Sequence, residues 1–132
     1  MKTYFVVTGI VANKGKYLIL KKSWRGRNYP NKWSFCSGFV KEFESAEDAA
    51  LREIREETGL KAKIIKKGKL FIKDDKTKQK RWVIMPFLCS VNSMKIELDH
   101  ENVEFKWIDY SDIKKYPTVP GLEKDLKVLG LG

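Results

Sequence analysis

Residues 38–60 read GFVKEFESAEDAALREIREETGL, and no other stretch of the chain predicts its local structure as clearly. Ser45 is a suitable N-cap, and Gly59 is a suitable left-handed stop just after the run. The segment between them is rich in alanine and glutamate, which have high helix propensity. We therefore predict a helix between Ser45 and Gly59. The side chains expected on its core-facing side are Ala50, Leu51 and Ile54.

Three glutamates of this helix, Glu53, Glu56 and Glu57, stand at positions i, i+3 and i+4, so their carboxylates share one face. Three carboxylates beside a buried face repel one another unless a cation lies among them. Ligand sets made only of oxygen select a hard cation, so these residues predict Mg²⁺ or Mn²⁺ as the cofactor. The plain alternative is a helix with a solvated acidic face.

The same stretch resembles the signature of the Nudix (MutT-like) hydrolase family. That signature has a glycine, a glutamate six positions later, and then an Arg-Glu-aliphatic-any-Glu-Glu-any-Gly-aliphatic block. The matching positions are Gly38, Glu44, Arg52, Glu53, Ile54, Glu56, Glu57, Gly59 and Leu60. Nine matching positions over 23 residues are far more specific than a short glycine motif, which favours the family over a solvated helix face.

The resemblance implies an enzyme that cleaves nucleoside diphosphates linked to another moiety, by attack of water on phosphorus. In such a reaction divalent ions neutralise charge on the phosphate oxygens and activate water. The resemblance also implies that Arg52 pairs with Glu53 and orients it, and that Glu44 either joins the metal ligands or holds the loop. The implied metal ligands are Gly38, through its carbonyl, Glu44, Glu53, Glu56 and Glu57.

The general base of such an enzyme is either a glutamate of the signature, here Glu53, or a glutamate from a later loop. Residues 99–104 resemble that later loop and contain Glu101 and Glu104. We favour Glu101 because of its loop position. His100 is the single histidine of the chain and is an alternative proton donor near neutral pH.

Four residues outside the acidic groups are candidates for substrate binding. Arg25 and Arg27 lie in a basic polar loop, residues 23–32, and Lys41 follows the first glycine of the signature. Trp33 begins the strand that leads into the signature, although tryptophan is more often a core residue.

The substrate is predicted by elimination. Residues that often mark ADP-ribose and dinucleoside polyphosphate hydrolases of the family do not stand at the corresponding positions, which leaves a nucleoside triphosphate or a similar small nucleotide. Cys36 resembles the cysteine of the isoprenoid-diphosphate isomerase branch, but the intact glutamate set favours hydrolysis.

The chain has a formal net charge of +10 and a sequence pI near 9.6, which suits an anionic partner. Residues 61–81 contain ten Lys or Arg and two Asp, so most of the excess charge lies there. One interpretation is a solvated strand face. The alternative is a nucleic-acid-binding or RNA 5′-end-processing module that uses this stretch.

The remaining residues alternate between strand and helix patterns. Strands are predicted at 4–12, 16–22, 33–36, 81–91 and 103–109, with one or two more within 61–73, a helical turn at 111–114 capped by Ser111, and a closing helix at 120–129. Pro86 marks an edge position or a bulge. Mixed strands between helices predict an α/β/α sandwich with a mixed central sheet.

The length of 132 residues predicts one domain, 1–132. No apolar run approaches the ~20 residues of a membrane span, and nothing resembles a signal peptide. Two cysteines in such a chain predict reduced thiols and a cytoplasmic location. The expected partner is a small-molecule nucleotide, and both a monomer and a homodimer remain open.

Overall fold

The computed structural model describes residues 1–26 and 29–131. Its elements, in chain order, are β1 (Lys2–Asn13), β2 (Lys16–Lys22), β3 (Trp33–Ser34), β4 (Cys36–Phe39), α1 (Ala46–Thr58), β5 (Lys63–Lys67), β6 (Phe71–Asp75), β7 (Lys80–Ser90), β8 (Asn102–Ile108), a 3-10 helix (Tyr110–Lys115) and α2 (Leu122–Val128).

Strand β1 lies in the middle of a mixed sheet that contains all the described strands. It pairs in parallel with β7 along most of its length. On its other side it pairs antiparallel with β4 and, next to the hairpin turn, with β2. Strands β3 and β8 pair with β2, whereas β5 and β6 both pair antiparallel with β7. The mixed sheet predicted from the sequence is therefore confirmed.

The two α-helices pack on opposite faces of this sheet. Helix α1 packs through Ala50 and Ile54 on one face, together with Val7 and Val11 of β1. The contact is close, because a β-carbon at Gly9 would lie 2.8 Å from Cδ1 of Ile54. The other face is covered by the apolar side of α2, which packs with residues of β1, β2 and β3; the residues of that cluster include Ile10, Ile19, Trp33, Leu122, Leu126 and Leu129. The result is the predicted α/β/α sandwich.

Both ends of α1 lie where the sequence predicts them. The Ser45 side chain accepts a hydrogen bond of 3.1 Å from the Asp48 backbone N–H. Gly59 ends the helix with a φ of 76°, a left-handed conformation that suits glycine. The predicted buried side is correct for Ala50 and Ile54 but not for Leu51, which is only half-buried.

The prediction of an edge position at Pro86 is wrong. Strand β7 has β1 on one side and β5 and β6 on the other, so it is an interior strand. Pro86 lies where the partner of β7 changes, after the Phe71–Ile84 pair of β6 and before the Lys67–Phe87 pair of β5. Since the ladder is interrupted there, a residue without an N–H group is tolerated.

Other differences concern element ends. Residues 33–36 do not form one strand, because β3 pairs with β2 and β4 pairs with β1. The 3-10 helix has Asp109, rather than Ser111, at its N-cap position. Helix α2 begins at Leu122, two residues after Pro120.

The basic stretch 61–81 forms β5, β6 and the start of β7, and most of its lysines are exposed. Among residues 1–26 and 29–131, no helix has the length and apolar character needed to cross a membrane.

Candidate active site

Three acidic side chains come together beside the C-terminal half of α1. Carboxylate oxygens of Glu57, Asp99 and Glu101 all lie within 4.8 Å of one another. Glu57 belongs to the last turn of α1, whereas Asp99 and Glu101 belong to the segment between β7 and β8. We call these three residues the acidic cluster. Glu57 is a predicted metal ligand and Glu101 a predicted base, whereas Asp99 has no predicted role.

Glu57 is buried, with only 3% of its surface exposed. Its Oε2 accepts a hydrogen bond of 3.1 Å from the backbone N–H of Ser37. Burial raises the pKa of Glu57 well above its ordinary value, and the charges of Glu53 and Asp99 raise it further, whereas Lys22 opposes the rise. A positive charge inside the cluster would therefore be favourable.

The segment that supplies Asp99 and Glu101 is tied to the rest of the protein at several points. The backbone N–H of Glu97 donates to the carbonyl of Thr58 at 2.9 Å, and the N–H of Ser23 donates to the carbonyl of Glu101 at 2.9 Å. The side-chain amide of the buried Asn102 donates to Oδ1 of Asp99 at 2.9 Å. These bonds hold the two carboxylates against the end of α1.

Arg52 organises a second acidic group next to the cluster. Its Nε and Nη2 donate to the two carboxylate oxygens of Glu44 at 2.8 and 2.9 Å, which is a bidentate pair. Its Nη1 donates to Oε1 of Glu53 at 2.7 Å and, at 3.3 Å, to Glu56. Nη2 also donates to the carbonyl of Phe39 at 3.0 Å. Arg52 thus joins α1 to β4 and to the loop between them.

Glu53 lies between these two groups. Burial raises its pKa, and the charges of Glu56 and Glu101 act in the same direction, whereas Arg52 lowers it. The backbone of Gly38 approaches the Glu53 carboxylate so closely that a β-carbon at position 38 would lie 2.1 Å from its Cδ. The glycine at this position is therefore required by the space that Glu53 occupies.

Glu44 and Glu56 are also predicted metal ligands. The oxygens of Glu44 accept hydrogen bonds from Arg52 and from the backbone N–H of Lys41, and these bonds lower its pKa to about 2. This arrangement favours the alternative role of holding the loop. The side chain of Glu56 is 53% exposed and contacts Arg52 on the outer side of the helix.

The predicted substrate-binding residues lie in different surroundings. Arg25 is exposed, and its guanidinium stacks over Trp24 at 4.7 Å from the ring centroid. Lys41 is exposed on the loop before α1. Arg27 lies outside the described residues. Trp33 is 5% exposed and packs in the core against Tyr116, so its assignment to the substrate is corrected to a core role.

Glu104, the second candidate base, is an exposed residue of β8 opposite Lys21, and it is not among the residues of the acidic cluster. His100 is exposed on the loop between the two acidic residues of the cluster.

Cys36 is a free, buried thiol beneath the site, and Cys89 is also free and buried. Burial raises the pKa of the Cys36 thiol well above its ordinary value, and the neighbouring Glu57 raises it further. A thiol that stays protonated is a poor nucleophile.

Four groups that contribute to the candidate active site were not predicted from the sequence. Asp99 could have been predicted, since it stands two residues before Glu101 in a loop already identified as acidic. The N–H of Ser37 and the carbonyl of Phe39 act through the backbone, which no side-chain pattern reveals. Lys22 comes near Glu57 only through the fold.

The donor set of the site fits a hard divalent cation. The acidic cluster consists only of carboxylates, and the neighbouring Glu53 adds another. Oxygen donors of this kind suit Mg²⁺ and Mn²⁺. Burial makes the ionised form of Glu57 costly in the metal-free protein, and a bound cation would remove that cost.

A family model described as NUDIX domain matches residues 3–127. Nucleoside triphosphatase NudI of Escherichia fergusonii is 29% identical over 140 residues, which cover 99% of each chain. The protein of the same name from Klebsiella pneumoniae is 26% identical over 126 residues, covering 88% of this chain and 89% of that one. The crystal structure of a MutT protein from Methanosarcina mazei Go1 superposes with a TM-score of 0.81 at 24% identity, over 93% of this chain and 88% of that chain.

Proposed function

The chain belongs to the NUDIX family and is a Nudix pyrophosphohydrolase, and we propose that its substrates are nucleoside triphosphates and that it requires Mg²⁺ or Mn²⁺. The observation that supports the metal requirement most directly is the acidic cluster, with one buried member and one half-buried member. The triphosphate is suggested by the relatives named nucleoside triphosphatase.

We assign the metal to Glu57, Asp99 and Glu101, with Glu53, Glu56 and the carbonyl of Gly38 as further ligands. When bound, a divalent ion supplies neutralisation of phosphate charge and lowers the pKa of a water. The remaining work falls to the residues of the chain, which must hold the phosphates, orient the water and receive its proton.

Glu53 is our first candidate for receiving that proton. Its Oε1 accepts the hydrogen bond from Arg52, whereas its Oε2 accepts none from the described residues. Arg52 therefore fixes the orientation of the carboxylate and leaves one oxygen for a water molecule. Partial burial raises the pKa of Glu53, which brings a carboxylate closer to the range useful for a general base. Glu101 is the second candidate because it belongs to the acidic cluster.

We expect the phosphates of the substrate to lie next to the start of the loop that follows β2. Lys22 is close enough to Glu57 to oppose the rise of its pKa, and Ser23 is bonded to the backbone of Glu101. Arg25 and Lys41 add exposed positive charge on the loops at 23–26 and 40–45. These positively charged side chains would neutralise the triphosphate and hold it in line with the attacking water. A cytoplasmic location, where such nucleotides are made and used, is part of the proposal.

The proposal is tested by measuring pyrophosphate and phosphate release from a panel of substrates with Mg²⁺, with Mn²⁺ and in excess EDTA. The panel contains the ribo- and deoxyribonucleoside triphosphates, ADP-ribose, a dinucleoside polyphosphate, an isoprenoid diphosphate and an RNA with a 5′-triphosphate. We expect metal-dependent release of pyrophosphate from nucleoside triphosphates. Full activity in EDTA would contradict the metal assignment, and a preference for any other class would contradict the substrate.

The RNA in this panel also addresses the alternative function for residues 61–81. Strand β5 and the loops on either side of β6 carry exposed lysines outside the acidic cluster, at positions 63, 66, 67, 69, 76 and 78. If they bind RNA, binding must weaken steeply as salt is raised, because each phosphate contact releases counterions.

A further inference from the structure

A buried oxygen next to the acidic cluster has no partner within the protein. Asn102 is 5% exposed, and its Oδ1 finds no hydrogen-bond partner among the described residues. The other end of the same amide is used, because its Nδ2 donates to Oδ1 of Asp99 at 2.9 Å. An ionised carboxylate only accepts hydrogen bonds, so the NH₂ group must face Asp99 and the oxygen must be the free end. A buried acceptor without a partner destabilises the folded state and calls for an explanation.

Asn102 faces the acidic cluster because of an irregularity in strand β8. The ladder between β2 and β8 passes over Val103, as in a β-bulge, so that Lys22 pairs with Asn102. In a regular ladder Lys22 would pair with Val103, and Asn102 would point to the other side of the sheet. Cross-strand partners share one face, and the charge of Lys22 acts on Glu57. The bulge therefore turns Asn102 to the face on which the cluster lies.

A neutral acceptor in this position suits the water shell of a hard cation. Mg²⁺ loses its water reluctantly and keeps several water molecules in protein sites, and a buried water needs polar partners of its own. The cluster supplies three carboxylates, and the amide of Asn102 places an uncharged oxygen directly beside that of Asp99. This oxygen adds no negative charge to a cluster in which burial already opposes the ionisation of Glu57. It can therefore serve the cation without adding to the repulsion in the metal-free protein.

The bond to Asp99 gives Asn102 a second effect on the cluster. Asp99 belongs to the segment between β7 and β8 and is half-buried, whereas Asn102 is the first residue of β8 and is held by the pairing with β2. The hydrogen bond thus fixes a carboxylate of a connecting segment to the sheet. Residues that orient a metal ligand in this way typically change metal affinity by roughly 10–100-fold.

We propose that Asn102 is a positioning residue of the cation site: its Nδ2 holds the Asp99 carboxylate toward the cluster, and its Oδ1 accepts a hydrogen bond from a water molecule that the cation carries. The proposal rests on the proposed function only in taking the acidic cluster to hold a divalent cation. The free oxygen costs stability while the cation is absent and gains its partner when the cation binds. Changes at Asn102 therefore have opposite effects on folding and on metal binding, whereas a purely structural asparagine would affect both in the same direction.

The test measures metal binding and folding separately. The electron paramagnetic resonance signal of free Mn²⁺ gives the dissociation constant of Mn²⁺ without nucleotide, and thermal melts in EDTA give the stability of the metal-free protein. Glu57→Gln is expected to weaken Mn²⁺ binding, which identifies the measured ion as the one at the acidic cluster.

Two variants of Asn102 separate the two effects. Asn102→Leu keeps the approximate shape of the side chain and removes both polar groups, so it is expected to bind Mn²⁺ about 10-fold more weakly. It should melt at an equal or higher temperature in EDTA, because the unpaired oxygen is gone. Asn102→Asp keeps an acceptor oxygen but places a second carboxylate against Asp99. It should melt at a lower temperature and bind Mn²⁺ at least as tightly as the wild type.

Asn13→Leu is the matched control. The amide of Asn13 also donates once, to the carbonyl of Val91 at 2.7 Å, and its buried Oδ1 also has no partner within the described part of the chain. Asn13 is not a member of the acidic cluster, so the leucine variant should alter stability and leave Mn²⁺ binding unchanged.

Wild-type Mn²⁺ affinity in Asn102→Leu, or equal losses of affinity in both leucine variants, would overturn the proposal. A wild-type protein that binds no Mn²⁺, or one whose Mn²⁺ affinity is unchanged in Glu57→Gln, would overturn it as well. If Asn102→Leu does not fold, Asn102→Asp decides, because Mn²⁺ affinity that falls together with stability would contradict the proposal. Since hydrolysis is not measured, an Asn102-dependent Mn²⁺ affinity in a protein that cleaves no nucleoside triphosphate would uphold this inference and reject the proposed function.

Discussion

The Cα atom of Gly38 lies against the carboxylate of Glu53, so that a β-carbon at position 38 would come within 2.1 Å of Cδ and 2.2 Å of Oε1. Gly38→Ala must therefore move the carboxylate away from Arg52. We expect turnover to fall by at least ~10-fold, the lower end of what displaced neighbours of metal ligands cost. The fold should be nearly as stable, because the atoms that move are the end of a flexible side chain. Steady-state hydrolysis and thermal melts of the variant measure both.

Gly15→Ala is the matched control for this change. Gly15 lies in the β1–β2 turn with a φ of 79° and has no atom within 4 Å of an added β-carbon among the described residues. Alanine there should cost about 1 kcal/mol of stability through backbone strain and leave turnover unchanged. Equal turnover losses in both variants would mean that the Gly38–Glu53 contact does not matter for catalysis.

Glu57→Gln separates metal binding from folding. The glutamine oxygen can still accept the bond from Ser37, and the amide removes one of the mutually repelling charges of the cluster. Stability in EDTA should therefore stay equal or rise. Turnover should fall by at least ~100-fold and the half-saturating Mg²⁺ concentration should rise, since even neighbours of metal ligands contribute roughly 10–100-fold. Thermal melts in EDTA and a Mg²⁺ titration of hydrolysis measure these quantities.

Glu47→Gln provides the comparison for Glu57→Gln. Glu47 is exposed in the first turn of α1, and its carboxylate pairs with Lys67 at 3.8 Å. An exposed change of this kind usually alters stability by less than ~0.5 kcal/mol, and it should not alter the Mg²⁺ titration. If Glu57→Gln behaved like Glu47→Gln at limiting Mg²⁺, the end of α1 would be only an acidic surface.

The helix could be predicted more completely than the site it serves. Ser45 and Gly59 each act within one helical turn, so local rules predict both ends of α1. The glutamate spacing predicts a shared face, but Glu57 is buried in the acidic cluster whereas Glu56 is exposed on the outer side of the helix. Asp99 joins Glu57 from 42 positions away along the chain through the tethers of Glu97 and Asn102, which depend on the packed structure. Trp33 shows the opposite error, because this aromatic residue shortly before the signature lies in the core.

Arg52→Lys tests whether the orientation of Glu53 depends on the planar guanidinium. A lysine has one ammonium group and cannot keep the bidentate pair with Glu44 while bonding Glu53 and the Phe39 carbonyl. We expect turnover to fall by roughly 10–100-fold, with a smaller effect on stability. Glu44→Gln should lower turnover less, and the double variant should lose less than the product of the two, because the residues act as one unit. Multiplicative losses would show that Glu44 acts independently, as a metal ligand would.

Cys36→Ser is expected to keep turnover within ~10-fold of the wild type, far from the loss on the order of 1000-fold that removal of a covalent nucleophile causes. The reason is that water, rather than the Cys36 thiol, is the proposed nucleophile. The thiol is buried and its pKa is raised, so it stays protonated at neutral pH. Cys89→Ser, a second buried thiol on β7 whose pKa burial raises to about 12, controls for the cost of placing a hydroxyl in the core. A loss specific to Cys36→Ser would reopen the isomerase or thiol-dependent reaction considered from the sequence.

Asp125 should leave a signature in the pH dependence of stability. Its pKa rises from 3.8 to about 7 on folding because the carboxyl is buried, so the folded state holds the proton more tightly than the unfolded state. Its contribution to the free energy of unfolding is most favourable below about pH 4 and is lost as the pH rises through 7.

Asp125→Asn cannot ionise. Its stability in EDTA, relative to wild type, should therefore increase between pH 4 and pH 8 by up to about 4 kcal/mol, at 1.36 kcal/mol per pKa unit. Glu53 and Glu57, whose pKa values are also raised, are present in both proteins and cancel in the difference. Denaturant melts at four pH values measure it, and a difference that stays constant with pH would show that Asp125 is ionised at no unusual cost in the folded protein.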